Sequence, residues 1–198
     1  MSKLRQRKFA RTRLALAGAL SKALVQQTLS EVSVKALCRE AEVSEATFFN
    51  YFPRKEDILV EIFKRELPFL KEKCQDILAS DVSITKKIHN IFATAARIAV
   101  KNESISRSML IKNFSSFSNK KYNGVFFEGF RSALSRILEK GQEEGDIRKD
   151  VPAIKLARML EGVFTLYVMD CLIVRTRKIS TKELFSRLNL CLEGMMDS

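Results

Sequence analysis

The sequence predicts an all-α fold, and three observations carry that prediction. Only 7 glycines and 3 prolines occur in 198 residues, so the chain has few of the residues that turn-rich sheet proteins need. Leucine, alanine, lysine, glutamate and arginine, which favour helices, are plentiful. Apolar residues recur at intervals of three and four along most of the chain. At this length the chain can bury one good core, or a small domain beside a larger one.

The N-terminal part has the pattern of a helix-turn-helix. A first helix of about twenty residues is predicted by apolar residues at helical spacing, namely Phe9, Leu16, Leu20 and Leu24. Ser33 is a candidate N-cap of a second helix, whose apolar face comprises Val34, Leu37, Cys38 and Ala41. Ser44 is a candidate cap of a short third helix. The gap of about three residues between the second and third helices is typical of a helix-turn-helix connection.

Helices are also predicted for the rest of the chain. Pro53 interrupts the pattern, and a fourth helix begins at Lys55, with a kink or an end expected at Pro68 because proline removes a helical hydrogen bond. Asp150 ahead of Pro152 marks a helix start, and Ser180 with Glu183 forms a predicted capping box. The later helices are expected at roughly 83–100, 103–116, 121–142, 152–176 and 181–196.

The charge distribution suggests a polyanionic partner. The chain carries 35 lysines and arginines against 23 acids, a formal net charge of +12. The first carboxylate is Glu31, while residues 1–30 contain the bases Lys3, Arg5, Arg7, Lys8, Arg11, Arg13 and Lys22. Nucleic acid and an anionic membrane surface both fit this charge, and a solvated basic tail is the alternative for residues 1–7.

Other features exclude several classes of protein. No stretch is long and apolar enough for a transmembrane helix, and none has the pattern of a signal peptide, so a cytoplasmic location is expected. The four cysteines lie far apart and the only histidine is His89, so no metal site, disulfide framework or cofactor is predicted. No nucleophile motif or phosphate loop is present, which disfavours an enzyme.

The stretch VSVKALCREAEVSEATFFNYFPRKEDIL, from Val32 to Leu59, resembles the DNA-binding domain of the tetracycline-repressor (TetR) family of bacterial transcription regulators. The resemblance implies an N-terminal helix-turn-helix domain at 1–54 and a larger helical domain at 55–198 for effector binding and dimerisation. It further implies a repressor that binds a palindromic DNA operator as a homodimer. A small effector, which we expect to be hydrophobic or amphipathic, would release the operator.

Carried onto this chain, the family motif predicts which residues contact DNA. Ser44, Glu45, Ala46 and Thr47 would meet base edges in the major groove, since the N-terminal residues of a recognition helix do so. Phe48 and Phe52, with Val43, would face inward. Phosphates are expected near the N-termini of the second and fourth helices and along the basic N-terminus. The predicted DNA-binding residues are Lys8, Ser33, Lys35, Ser44, Glu45, Ala46, Thr47, Phe49, Asn50, Tyr51 and Lys55.

Three positions depart from the family pattern. Glu42 and Thr28 stand where glycine is usual, so neither turn has a residue that easily adopts a left-handed conformation. Phe49 stands where tyrosine is common, and it therefore lacks a hydroxyl for a phosphate but retains an apolar ring for a thymine methyl group.

Two apolar sets in the C-terminal part allow either a binding surface or core packing. An effector pocket could be lined by Phe92, Met109, Phe114, Phe126, Phe130, Phe164 and Tyr167, although phenylalanine at helical spacing also suits a core. A dimer interface in a four-helix arrangement could include Leu156, Leu160, Val163, Leu184, Leu188 and Met195, which could equally pack within the chain.

Two other functions remain open from the sequence. A helical DNA-binding protein without an effector would have a well-packed C-terminal domain without a cavity. A basic protein on anionic membranes would bind lipid without needing the recognition helix. If the regulator reading holds, the break at Pro68 is a candidate point for transmitting movement between the two domains.

Overall fold

The computed structural model describes residues 3–65, 67–115, 125–174 and 178–196, and the side chains of these residues except at 67, 112–115 and 125–128. The described residues form helices and contain no strand, as predicted, apart from one isolated bridge between Ile147 and Met196. The helices are α1 (Lys3–Ala23), α2 (Val34–Glu40), α3 (Glu45–Tyr51), a 3-10 turn (Lys55–Asp57), α4 (Ile58–Phe63), α5 (Leu67–Ala79), α6 (Ile84–Lys101), α7 (Glu103–Ser115), α8 (Val125–Glu144), α9 (Ala153–Leu172) and α10 (Thr181–Glu193).

The chain divides into two compact units. The first contains the described parts of residues 1–66 and 104–118, and the second those of 67–103 and 119–198. In the first unit α1 packs on α2 and α4, and α2 packs on α3. The predicted boundary at 54/55 would separate α4 from α1, whereas the packing keeps these two helices together.

The core of the first unit is apolar, and the inward face of α3 packs against it. Leu16 and Leu20 of α1 are buried, as is Leu37 of α2. Phe48 and Phe52 are 0% and 1% exposed, which confirms that they face inward. A seven-residue helix has too few internal hydrogen bonds to be stable alone, so this packing is what holds α3 in place.

The second unit is built on long helices around an aromatic cluster. α8 packs on α9 and α5, α6 packs on α5 and α8, and α10 packs on α9 and α6. Three buried rings, those of Phe92, Phe130 and Phe164, lie within 5.2–6.2 Å of one another between centroids. One pair is edge-on, one tilted and one stacked, and the distances are those at which aromatic pairs attract one another in cores.

Charged groups inside the second unit have specific partners. The Arg131 guanidinium on α8 donates two hydrogen bonds to the Glu161 carboxylate on α9, at 2.6 and 2.9 Å. Lys87 is buried on α6, and its ammonium donates to the carbonyl oxygen of Leu78 at 3.1 Å. Burial lowers the pKa of Lys87 from its usual range because it penalises the charged form.

The helix break near Pro68 lies before the proline. α4 ends at Phe63, and α5 begins at Leu67 with Pro68 as its second residue. A proline in the first turn of a helix costs little, because the amide hydrogen that it lacks would have no helical partner there. An end rather than a kink therefore separates the fourth and fifth helices.

The predicted capping box at the start of α10 is wrong. Ser180 is the N-cap residue, but its side chain makes no capping hydrogen bond. The Ser180 amide donates instead to the Tyr167 hydroxyl at 2.6 Å, and that hydroxyl donates to the Ser180 carbonyl at 2.8 Å. The buried tyrosine of α9 thus takes the place of the Glu183 carboxylate.

The residues predicted for a dimer interface are largely inside the chain. The buried members are Leu156, Leu160, Leu184, Leu188 and Met195, each at most 2% exposed, while Val163 is half-buried. Side chains already covered by their own chain have no area left for a second copy. The intramolecular alternative that the sequence allowed is therefore correct for these five residues.

Candidate nucleic-acid interface

Two serines begin the helices of the helix-turn-helix as the sequence predicts. The Ser33 hydroxyl accepts from the Ala36 amide, and the Ser44 hydroxyl accepts from the Thr47 amide, both at 3.1 Å. Each bond satisfies an amide that the first turn of a helix leaves without a partner. The caps fix where α2 and α3 begin, and therefore which residues the N-terminal end of α3 presents.

The turn between α2 and α3 is made by a residue in a strained conformation. Glu42 has a φ of 54°, in the left-handed region that favours glycine. The turn closes with the Val43 amide donating to the Cys38 carbonyl at 2.9 Å. The structure thus accommodates the glutamate at the glycine position by placing it in the conformation that a glycine would adopt.

The other unusual turn avoids a left-handed residue. The Glu31 carboxylate accepts from the Thr28 amide at 2.7 Å and from the Thr28 hydroxyl at 2.8 Å. These hydrogen bonds lower the pKa of Glu31 below its usual value. A side-chain cap therefore closes the turn after α1 without glycine.

The outward face of α3 presents most of the predicted base-contacting residues. Ser44, Glu45, Ala46 and Asn50 are exposed, and Thr47 is half-buried with its hydroxyl 2.9 Å from that of Ser44. Phe49 is 52% exposed, with its ring packed edge-on against Phe48. A shallow groove runs along the adjoining α2 and the turn, lined by Ser33, Lys35, Ala36, Cys38, Arg39, Val43, Ser44 and Glu45.

Tyr51 ends α3 and is half-buried against α1. Its ring centroid lies 4.6 Å from that of Phe9, at a tilt of 32°. Among the described residues, none hydrogen-bonds to the Tyr51 hydroxyl. Phe9, expected on the apolar face of the first helix, is 40% exposed and packs against this tyrosine rather than in the core.

Arg13 connects three helices at the end of α3, a role that the sequence did not reveal. Its guanidinium donates to the Glu61 carboxylate of α4 at 2.7 and 3.2 Å and to the Tyr51 carbonyl at 3.3 Å. The guanidinium carbon lies 4.5 Å from the Phe52 ring centroid. In the sequence Arg13 is one base among many, and the position of Glu61 48 residues later gives no signal of the pairing.

The predicted phosphate-binding lysines differ in their surroundings. Lys8 and Lys35 are exposed on α1 and α2. The Lys55 ammonium donates to the carbonyl oxygens of Ser30 and Val32, at 3.0 and 2.7 Å. Lys55 therefore holds the loop before α2, a contact made within the protein that the sequence prediction did not include.

The basic N-terminus is helical rather than an extended arm over the described residues. α1 begins at Lys3, and every residue from Lys3 to Arg11 is exposed. Its bases project from a helix whose first turn contains no acid. This segment therefore concentrates positive charge on the same unit that carries α3.

The residues predicted for an effector pocket belong to both units, as far as the structure describes them. Phe92, Phe130 and Phe164 form the aromatic cluster of the second unit, where Tyr167 is also buried. Met109 lies half-buried on α7, which is grouped with the first unit. The side chains of Phe114 and Phe126 lie outside the described residues.

The described part of the chain has neither a membrane-spanning helix nor a cluster of metal ligands. No helix there is long and apolar enough to cross a membrane. No group of three or more His, Cys, Asp or Glu side chains in that part lies close enough together to hold a metal ion.

Comparison with known proteins gives a consistent result. Residues 19–62 match the bacterial regulatory proteins of the tetR family. The chain is 22% identical over 144 residues to the fatty acid metabolism regulator protein of Bacillus subtilis (strain 168), which covers 69% of this chain and 73% of that protein.

Solved structures extend the similarity over nearly the whole chain. The TetR-family transcriptional repressor FadR of Thermus thermophilus, in complex with lauroyl-CoA, is similar at a TM-score of 0.75 and 23% identity, over 94% of this chain and 96% of that one. The regulator FadR of Bacillus subtilis, in complex with stearoyl-CoA, is similar at a TM-score of 0.68 and 16% identity, over 92% and 98%. The shared fold is an N-terminal helix-turn-helix followed by a larger helical domain.

Proposed function

Since the chain belongs to the TetR family of bacterial transcriptional regulators, we propose that it represses transcription by binding a palindromic operator as a homodimer. A long-chain acyl thioester would be the effector that releases the operator. The protein acts by binding rather than by catalysis. The observation that carries the proposal is the exposed N-terminal face of α3, fixed by the Ser44 cap and by the buried Phe48 and Phe52 beneath it.

In this proposal α3 enters the major groove. Ser44, Ala46 and Thr47 are small enough for close approach to base edges, and the Glu45 carboxylate can accept from a cytosine amino group. Asn50 can donate and accept at an adenine edge. Phe49 supplies an exposed ring for a thymine methyl group.

Phosphate contacts would fix the position of α3 in the groove. Lys35 on α2 lies beside the groove that adjoins α3, and Ser33 stands at the N-terminal end of the same helix. Lys8 on α1 adds positive charge. Contacts of this kind give affinity and register, while base contacts give the sequence preference.

A dimer would use the outward face of α9 and α10. Met159, Leu166 and Leu190 are 57%, 61% and 71% exposed, and exposed large apolar side chains on two neighbouring helices suit a contact between proteins. Gly162 lies between Met159 and Leu166 on α9, with no atom within 4 Å of the position a β-carbon would take. A second copy could therefore approach α9 closely, and a dimer would set two α3 helices about 34–36 Å apart, one turn of DNA.

The effector is proposed from the two FadR relatives and from the chemistry of the second unit. Those relatives are in complex with lauroyl-CoA and stearoyl-CoA. The cluster of Phe92, Phe130 and Phe164 makes the interior of the second unit apolar and aromatic, which is the chemistry that an acyl chain would need around it if the helices part to admit it. The ligand lowers operator affinity only as far as it binds better to a dimer whose α3 spacing does not fit DNA.

The test begins with selection of bound duplexes from a random pool at two salt concentrations. A palindromic consensus is expected, and binding should be lost when Thr47→Ala is combined with Tyr51→Ala. Thr181→Ala, a change of an exposed threonine on α10, is the matched control and should bind like the wild type. Binding that depends on salt but not on sequence would overturn the proposal.

Effector release is tested on the selected duplex. Lauroyl-CoA or stearoyl-CoA should dissociate the complex, whereas coenzyme A without an acyl chain should not. A specific duplex that neither thioester releases would support a DNA-binding protein without this effector. Binding to anionic vesicles that survives the Thr47→Ala, Tyr51→Ala double substitution, without selective DNA binding, would support a membrane-surface protein.

A further inference from the structure

We propose that Phe9 and Arg13 of α1 are positioning residues, which hold Tyr51 so that its hydroxyl meets a DNA phosphate beside the bases read by α3. The inference deepens the proposed function and rests on it. It gives α1 a part in recognition beyond carrying positive charge.

The first contact is the packing of two rings. Phe9 is 40% exposed on a part of α1 that lies before the first buried residue, Leu16. Its ring nevertheless lies 4.6 Å from that of Tyr51, a distance at which aromatic pairs attract one another. A phenylalanine that belonged to the core would be buried. Phe9 instead covers one face of the Tyr51 ring and limits how that ring can rotate.

The second contact fixes the backbone at the same residue. The Arg13 guanidinium donates to the Tyr51 carbonyl at 3.3 Å, an oxygen that the end of α3 leaves without a helical partner. The Glu61 carboxylate, which is 17% exposed, orients the guanidinium through bonds of 2.7 and 3.2 Å. The planar group also lies 4.5 Å from the Phe52 ring centroid and 5.5 Å from that of Phe9.

Arginine suits this position for a geometric reason. A guanidinium presents several donors in one plane, so it can bind a carboxylate and a carbonyl while its faces lie against aromatic rings. A lysine ammonium keeps the charge but has no plane to stack. Arg13→Lys therefore removes the positioning geometry without changing the net charge.

The position of Tyr51 matters because its hydroxyl can reach a phosphate next to the bases that α3 contacts. It lies four residues after Thr47, so both project from the same face of α3. Among the described residues none hydrogen-bonds to its hydroxyl, which leaves that group able to donate to a phosphate. Phe49 has no hydroxyl, so Tyr51 is the only phenol between Ser44 and Phe52.

The test is a double-mutant cycle on the operator that the wild type selects. Phe9→Ala should weaken binding roughly threefold to tenfold in the presence of Tyr51 and have no effect in a Tyr51→Phe background. Arg13→Lys should behave in the same way. Leu4→Ala is the matched control, since Leu4 is 79% exposed on the same segment of α1, and it should bind like the wild type.

A second measurement separates positioning from general stability. The protein has 3 tyrosines, so selective ring labelling with carbon-13 gives few NMR signals, and Tyr51→Phe identifies the signal of interest. Phe9→Ala and Phe9→Leu should move the Tyr51 ring signal in the free protein and leave the unfolding temperature nearly unchanged.

Three outcomes would overturn the inference. If the loss on Phe9→Ala persists in the Tyr51→Phe background, Phe9 acts on DNA by another route. An unmoved Tyr51 signal would mean that Phe9 does not constrain the ring. Failure of the wild type to select any duplex would overturn the proposed function together with this inference, whereas an additive cycle on a bound operator overturns this inference alone.

Discussion

The two units of this protein use the same residue types for different purposes. In the first unit the two seven-residue helices α2 and α3 pack on a small apolar core, and serine caps and the hydrogen bonds of Arg13 and Lys55 fix their ends. In the second unit helices of up to 20 residues bury aromatic rings against one another. Phe49 is 52% exposed in the first unit, and Phe92 is 0% exposed in the second.

The difference follows from the lengths of the helices. A short recognition helix cannot bury all its large side chains and still offer a surface to DNA, so polar contacts at its ends supply part of what a core would otherwise provide. A helical domain of the second kind can place its aromatic residues inside. The exposed ring of Phe49 is therefore available for the contact with DNA proposed above, whereas the ring of Phe92 contributes to the packing of the second unit.

Removing one ring from each unit should give the largest difference in the free energy of unfolding. Phe92→Ala should lower the free energy of unfolding by about 3–5 kcal/mol, because the buried ring leaves a cavity next to Phe130 and Phe164. Phe49→Ala should change that free energy by only about 0.5 kcal/mol, because half of its ring is already in water. Urea unfolding followed by circular dichroism measures both.

In DNA binding the order of the two variants should be reversed, with the larger loss of affinity on Phe49→Ala. Phe49→Ala should weaken operator binding, and Phe92→Ala should keep native affinity at temperatures where it stays folded. Equal losses of unfolding free energy in the two variants would mean that Phe49 is packed in solution and would contradict the contrast.

A smaller change in the free energy of unfolding is expected at the strained turn in the first unit. Glu42→Gly should raise the free energy of unfolding by about 1 kcal/mol, since a side chain at a φ of 54° is disfavoured and glycine is not. Glu42→Ala is the matched control. It removes the carboxylate but keeps the β-carbon, so a gain shared by both variants would point to charge rather than to backbone conformation.

The smallest expected effect is the dependence of the Thr28 turn on pH. Hydrogen bonds from Thr28 hold the pKa of Glu31 below its ordinary value of 4.5. The stabilisation is therefore present above that value and is lost as the pH falls through the lowered pKa of the folded state. Glu31→Gln should unfold at a lower temperature than the wild type at pH 7, and the difference should shrink in acid.

Glu143→Gln provides the comparison for this measurement, because Glu143 is an exposed acid on α8 of the second unit. Its melting temperature should follow that of the wild type at both pH values. A gap between Glu31→Gln and the wild type that stayed constant from pH 7 into acid would contradict the role given to the Glu31 carboxylate.

Local features of the fold were predictable. Ser33 and Ser44 act as caps at the predicted positions, and Phe48 and Phe52 are buried as expected, because capping and helical periodicity depend on residues within a few positions. The capping box at Ser180 failed because Tyr167, 13 residues earlier, reaches the same amide. The Arg13 contacts were not foreseen, since Glu61 is 48 residues away.

By itself the sequence determined the helical class, the helix-turn-helix, its caps and the positive charge of α1, because each depends on local spacing or on composition. The tertiary structure alone decided which apolar stripes are covered: Leu160 and Leu188 are buried, while Leu166 and Leu190 on the same helices face outward. It also decided that Phe9 lies on Tyr51 rather than in the core. A stripe on one helix shows that a face will be buried, but only the packing of distant helices determines what buries it.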